Sequence, residues 1–211
     1  MDTTPFQIDM QLEGWRLFWA RLELRHAEPA AIAARRAEVT ARARDRFADT
    51  ASISDDPVVA ALRKLFRAAG CDPTRHRPAS EALLRRLVKG DDLPTIFPAV
   101  DLNNCLSADL AVPCCVMAAG SFHPPLVWRS GVAGESYASL RGPFNLEGKP
   151  VLFDPEGPLD APITGNVRVK VEPDTREAWL VAYLPAAELD LDTASSALDR
   201  LAAGTGIAVG G

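Results

Sequence analysis

Asp56-Pro57-Val58-Val59-Ala60-Ala61-Leu62-Arg63-Lys64-Leu65-Phe66-Arg67-Ala68-Ala69-Gly70 carries every mark of a complete helix. Asp56 is a natural N-cap, and Pro57 fits the first helical position, where its missing N–H is no loss. Val58, Leu62, Leu65, Phe66 and Ala69 recur at three- and four-residue spacing as one apolar stripe, and Gly70 supplies the stop. Downstream, the basic loop Asp72 to Pro78 leads into a second helix, from about Ala79 to Lys89, which buries Leu83, Leu84, Leu87 and Val88 and ends at Gly90. Pro94 and Pro98 mark an extended connection before a third helical stretch, roughly Ala99 to Leu110. Upstream, residues 29 to 48 are rich in Ala and Arg and predict another helix. There Ile32, Val39, Ala43 and Phe47 share a face, with Arg35, Arg42, Arg44 and Arg46 mostly elsewhere.

The texture differs at both ends of this helical block. Phe6 to Met10 alternates apolar and polar residues, Gly14 follows, and Trp15 to Leu24 is a second extended run, so an N-terminal β-hairpin is expected. Beyond Pro113 the runs are short and β-favouring: Leu126 to Arg129, Ser136 to Leu140, Val151 to Phe153, Val167 to Glu172 and Ala178 to Leu184, with glycines between them. A last helix is expected around Ala194 to Ala203, capped by Asp192 or Thr193, and residues 204–211 read as a loose tail. The expected fold class is α+β in a single domain over 1–211: an N-terminal β-hairpin, helices in the first half, and a mainly antiparallel sheet in the second.

Composition narrows the function classes. The 211 residues are 47% hydrophobic and 24% charged, which suits a globular chain rather than a disordered or fibrous one. The longest apolar runs, such as Ala111 to Ala119, are too short to span a bilayer. Met1 to Pro5 lacks the start of a secretory signal, so a soluble cytoplasmic protein without a membrane role is expected. With 23 Lys+Arg against 28 Asp+Glu the net charge is -5, so contact with nucleic acid would have to rest on a local basic patch. The four cysteines, Cys71, Cys105, Cys114 and Cys115, show no CxxC spacing and read as free thiols. No phosphate-binding or dinucleotide fingerprint and no Ser-His-Asp set stands out, and neither cofactor nor metal is expected.

Several segments carry a family resemblance. They are Gly70-Cys71-Asp72-Pro73 leading into Arg77-Pro78-Ala79-Ser80-Glu81-Ala82-Leu83-Leu84-Arg85-Arg86, then Lys89-Gly90 with Leu93-Pro94-Thr95-Ile96, then Val100-Asp101-Leu102-Asn103-Asn104. Gly134-Glu135-Ser136-Tyr137, followed by Leu140, adds a turn into a strand. Over residues 60–185 the chain resembles the B3/B4 domain, the tRNA-binding and editing module of the phenylalanyl-tRNA synthetase beta subunit, and especially its free-standing versions. Residues 1–59 would then add the hairpin and the Ala/Arg-rich helix. The resemblance implies a pocket between sheet and helices, tRNA or aminoacyl-tRNA as partner with no DNA, and deacylation of mischarged aminoacyl-tRNA in trans. Two departures stand out. Aligned on Pro113, the family's His and Asp positions hold Cys115 and Ala118, and Leu159 to Gly165 stands where the family has a glycine-rich strand.

The resemblance nominates Glu81, Asp101, Asn104, Cys115, Glu135 and Ser136 as catalytic or pocket residues, and Arg75, Arg77, Arg85, Arg86 and Lys89 as RNA contacts. Ester hydrolysis in such a site needs a positioned water and a stabilised oxyanion, with no covalent nucleophile. Plainer readings stand beside each. The cations are equally suited to pair with Glu81, Asp91 and Asp92 on a solvated surface. Asp101 and Asn104, three apart, share a helix face but also suit the capping of backbone groups. Cys115 would be a nucleophile with His123 as base, or an inert buried thiol. Zinc held by Cys114, Cys115 and His123 is disfavoured by the adjacency of the cysteines. His76, between Arg75 and Arg77, should resist protonation. The four tryptophans, Trp15, Trp19, Trp128 and Trp179, suit the core. Two further functions remain: a non-catalytic binding module for a free amino-acid-like small molecule, and an interaction domain docking through residues 29–48.

Overall fold

The computed structural model describes residues 5–210. In chain order the elements are β1 (Ile8–Met10), β2 (Trp15–Glu23), α1 (Pro29–Arg46), α2 (Ser52–Asp55), α3 (Pro57–Ala68), α4 (Ala79–Val88), α5 (Pro98–Leu110), β3 (Cys114–Ala118), β4 (Leu126–Ser130), β5 (Ser136–Ser139), β6 (Gly142–Asn145), β7 (Pro150–Asp154), β8 (Gly157–Asp160), β9 (Glu177–Pro185), α6 (Leu191–Ala202) and β10 (Ala208–Gly210). The α+β class is as the sequence predicts. One sheet runs β1-β4-β7-β8 and a second β10-β2-β9-β3, while β5 and β6 form a separate hairpin. All pairings are antiparallel except β1 with β4.

Aromatic side chains join the two four-stranded sheets. Trp128 on β4 stacks on Tyr183 of β9 with centroids 5.0 Å apart, and Trp15 of β2 meets Trp128 edge-on at 5.2 Å. Trp128 and Tyr183 are both fully buried. Burial of this much ring surface, with favourable edge and offset geometry, fixes the sheets face to face.

The expected N-terminal hairpin does not form. β1 lies parallel to β4, with Ile8 opposite Leu126, whereas β2 pairs with β9 along nine residues from Trp15↔Pro185 to Glu23↔Glu177. Gly14, at φ +80°, turns the chain from one sheet to the other. The three residues of β1 offer β2 far fewer ladder bonds than the nine of β9, so the longer pairing wins.

The C-terminal tail is not loose over its described residues. β10 pairs with β2, Ile207 and Thr205 are buried, and Thr205 O accepts the Glu28 N–H at 2.7 Å. Glycines 204 and 206, which suggested looseness, sit at positive φ and turn the chain back onto β2. Two smaller expectations also change. Residues 167–172 form a 3₁₀ turn, Val167–Val169, capped by Asn166, in place of a strand. Helix α6 starts at Leu191, capped by Asp190 Oδ1 accepting from Thr193 N at 2.7 Å.

The arginines of α1 are ties within the fold. Arg44 donates to Leu87 O, Gly90 O and Asp91 O beyond α4, Arg46 to Asp109 O at the end of α5, and Arg35 to Ala203 O after α6. A helix leaves its last carbonyls unsatisfied and its C-terminus partially negative, so a guanidinium there meets both needs.

A methyl group built at Gly206 would lie 1.8 Å from His26 O, on backbone at φ +72°. Gly206→Ala is therefore expected to destabilise the protein by about 2–4 kcal/mol, lowering the melting temperature by roughly 5–15 °C in a thermal denaturation scan.

Candidate functional site

The six nominated pocket residues are carried by α4, α5, β3 and the start of β5, with Asp101 and Asn104 one turn apart on α5 and Glu135 next to Ser136. Glu81 is wholly buried between α3 and α4, accepting from Arg63 Nη1 at 2.9 and 3.0 Å and from Arg85 Nε at 3.0 Å, with Arg77 Nε 3.7 Å away. Asp101, at the start of α5, accepts the Ile96 N–H at 2.8 Å and faces Arg36 Nε at 3.6 Å. Burial raises the proton affinity of the Asp101 carboxyl, against the Ile96 N–H and Arg36. Asn104 is half-buried on the same helix, and it is Asn103 that reaches β3, donating to Cys114 O at 3.4 Å. Glu135, in the turn before β5, holds Arg129 at 2.6 and 3.0 Å and accepts the Val132 N–H at 2.7 Å. Its hydrogen bond from Arg129 keeps the carboxyl below its usual range. Ser136 is exposed. Among the described residues no hydrogen bond or ion pair joins any two of the six. Two surface hollows lie away from these residues, one along Asp199 to Val209 and one between α1 and α5 beside Arg42 and Asp109.

The basic residues divide in two. Arg75, Arg86 and Lys89 are exposed and enter no ion pair among the described residues, and Arg77 is exposed with only its long contact to Glu81. Arg85 is turned inward, held by Glu81 and by Ser54 Oγ at 2.9 Å. His76 resists protonation through burial first and then through Lys149 and Arg75, and its ring meets Phe144 edge-on at 6.3 Å.

Asp160, which none of the sequence motifs nominated, occupies the most unusual position in the chain. It closes β8, is 1% exposed, and accepts the Tyr183 hydroxyl on Oδ2 at 2.6 Å, while Oδ1 has no hydrogen-bond partner. The Cys115 thiol of β3 lies beside it. The Tyr137 hydroxyl donates to Thr164 O at 2.6 Å, in the turn that follows β8. So Cys115 is brought to a carboxylate, but a different one from those expected. The one sequence signal was position: Asp160 falls in Leu159 to Gly165, one of the two places where the sequence departs from the resemblance.

Burial pushes the Asp160 carboxyl from 3.8 to about 7, and the Tyr183 hydrogen bond, with smaller help from Cys115 and the Ala161 N–H, only partly offsets it. Burial likewise raises the thiols, Cys71 to about 11 and Cys105 to about 12, and lifts Cys115 well above its ordinary value. A protonated Cys115 is a poor nucleophile, and exposed His123 approaches Glu156 rather than the thiol. Among the described residues no group of three or more His, Cys, Asp or Glu side chains could hold a metal ion.

These shifts make two predictions. A carboxyl whose proton is held more tightly in the folded state loses stability for the fold as pH rises from about 4 through about 7, and the loss is constant above that. Asp160→Asn should therefore gain about 2–4 kcal/mol over the wild type at pH 8 relative to their difference at pH 4, measured by urea unfolding. In the native state at pH 8, Cys115 should react with a disulfide reagent at least about 100-fold more slowly than a free thiol, as read by the release of the chromophore.

No helix of the described residues is long and apolar enough to cross a membrane. An N-terminal fragment of the phenylalanyl-tRNA synthetase beta-subunit from Pyrococcus horikoshii shares the fold, with a TM-score of 0.50 and 12% identity. The alignment covers 98% of this chain and 50% of that fragment, so the present chain spans half the fragment's length. No curated protein matches. The B3/4 domain matches residues 61–202, from α3 to the end of α6, and this span takes in the buried Asp160, the Glu81 ion-pair hub and the exposed cations beside it. With two-thirds of its length so matched, the chain belongs to the B3/4 domain family.

Proposed function

We propose that this chain binds aminoacyl-tRNA, taking the RNA phosphates on the exposed cations around α4, and hydrolyses mischarged aminoacyl ester in trans. The observation that carries the reading is the division of charge at α4. Glu81 draws Arg63 and Arg85 inward, while Arg75, Arg86 and Lys89 keep their charges in solvent. Charges left free of protein partners are the ones that can displace counterions from a phosphate backbone. Membership of the B3/4 family and the shared fold with a synthetase subunit fragment support RNA over other polyanions.

In the hydrolytic step, a water oxygen adds to the aminoacyl carbonyl. The ester C–O bond then breaks, and the ribose hydroxyl leaves with the proton that the water gives up. A thiol held in its protonated form takes no part as nucleophile, so positioning and oxyanion stabilisation supply the acceleration. A second reading, a non-catalytic module for a free amino-acid-like molecule, is favoured by the net charge of -5 and by Cys115 and Ala118 at the family's His and Asp positions.

Gel-shift titrations with tRNA over a range of salt concentrations test the proposal. The wild type should bind at low salt, and the triple variant Arg75→Ala, Arg86→Ala, Lys89→Ala should bind more weakly. Its salt slope should flatten by about 0.7–0.9 for each phosphate contact removed. A screen of mischarged tRNAs should reveal at least one that is deacylated. No shift at low salt and no deacylation would overturn the reading, and stabilisation by a free amino acid in that case would establish the second one.

A further inference from the structure

We infer that Asp160 is the receptor for a primary ammonium group, the free amino group of an aminoacyl or amino-acid ligand. Among the described residues four acidic side chains are buried, and three have an arginine: Glu81 has Arg63 and Arg85, Asp101 has Arg36, and Asp154 has Arg168 at 2.9 Å. Asp160 has no cation among the described residues and leaves one oxygen without a donor. A carboxylate taken out of water needs both a counter-charge and hydrogen bonds. The protein supplies the Tyr183 hydroxyl on Oδ2 and weaker help from the Cys115 thiol and the Ala161 N–H, but no donor within hydrogen-bond distance of Oδ1.

The shape of that deficit selects the ligand. Oδ2 is already engaged by Tyr183 at 2.6 Å, so the two-oxygen fork that makes a guanidinium pair strongest is not available, and a single compact cation suits the remaining oxygen better. A neutral hydroxyl would satisfy Oδ1 but leave the charge alone. A metal ion would find too few donors. An ammonium group brings the charge and a donor in one compact atom. The line of approach is visible at Gly165. A methyl group built there would point to within 4.0 Å of Asp160 Oδ1 and 3.7 Å of Leu140 Cδ1, and Leu140 is 64% exposed. Leu140 and the side-chain-free Gly165 thus lie between Oδ1 and the surface, and displacement of the exposed Leu140 side chain is the route this inference requires for a small ligand. The ligand recognised is the ionised carboxylate's partner, so binding releases a proton from Asp160 when the pH is below about 7.

The assignment rests on the reading of the chain as a binder of aminoacyl or amino-acid groups, and the test keeps the two apart. Titration calorimetry with a panel of L-amino-acid amides, their N-acetyl counterparts and the free amino acids should find at least one amide or amino acid that binds. N-acetylation of that ligand should weaken binding at least tenfold, Asp160→Asn should do the same, and affinity should rise at least tenfold from pH 5 to pH 7. Gly165→Val, which fills the approach, should also weaken it. Binding of the amide but not the free acid identifies an ester as the source, and equal binding identifies a free amino acid; both support the inference. It is overturned if no amide or amino acid binds, if the N-acetyl form binds equally well, or if folded Asp160→Asn binds like the wild type. Each of those results alongside an intact tRNA shift leaves the tRNA reading standing. Amine binding by a protein that shifts no tRNA does the reverse.

Discussion

A carboxylate enclosed between two sheets, with no cation to answer it, is the constraint from which the rest of this structure takes its functional meaning. The aromatic contact of Trp128 with Tyr183 brings the sheets together, and the same Tyr183 offers its hydroxyl to Asp160. Packing and polarity are therefore coupled in one side chain: the ring builds the core, and the oxygen half-solvates the acid. Ionising a group in such surroundings is unfavourable, so the carboxyl holds its proton to about 7. A core designed only for stability would carry an apolar residue here, which makes the retained acid informative.

Among the described residues every other buried acid meets an arginine. The arginines of α1 close the ends of α4, α5 and α6, and Asp109 gathers Arg42 at 2.7 Å and Arg200 at 2.5 Å, so that α1, α5 and α6 are held by one carboxylate. Glu81 does the same for α3 and α4. Removing an arginine from Glu81 strands that carboxylate in low dielectric, whereas the more exposed Asp109 ties orient the helices at little net gain in stability. The consequence for function is subtractive. Once the internal ties are discounted, Arg75, Arg86 and Lys89 around α4 are among the exposed cations left outside any ion pair of the described residues, alongside Arg25, Lys64, Arg67, Arg141 and Arg176.

Helices were legible in the sequence because their signals are local. Asp56 caps α3 by accepting from Val58 N and Val59 N, Pro57 opens it, and the stripe from Val58 to Phe66 is buried, all from contacts within a few residues. Strand partners were not legible, because alternation says that a segment is extended but not what lies beside it. Thus β1 and β2 were recognised as strands while their pairing was not, and the glycines that turn the tail back onto β2 looked like looseness. The partners of the candidate site residues were hidden for a related reason. Glu81, Asp101 and Glu135 are acids in recognisable motifs, and each turns out to be committed to an arginine that is distant in sequence or folded back upon it. The Asp160 environment is assembled from β3, β5, β8 and β9, and no short motif contains it.

The acid's ionisation can be observed without any ligand or variant. The ¹³C chemical shift of the Asp160 side-chain carboxyl, followed by NMR against pH in the folded protein, reports its protonation directly. The account predicts a midpoint near 7, which falls when a primary amine is bound. A midpoint at the ordinary aspartate value near 3.8 would mean that the carboxylate already has the partner this account says it lacks.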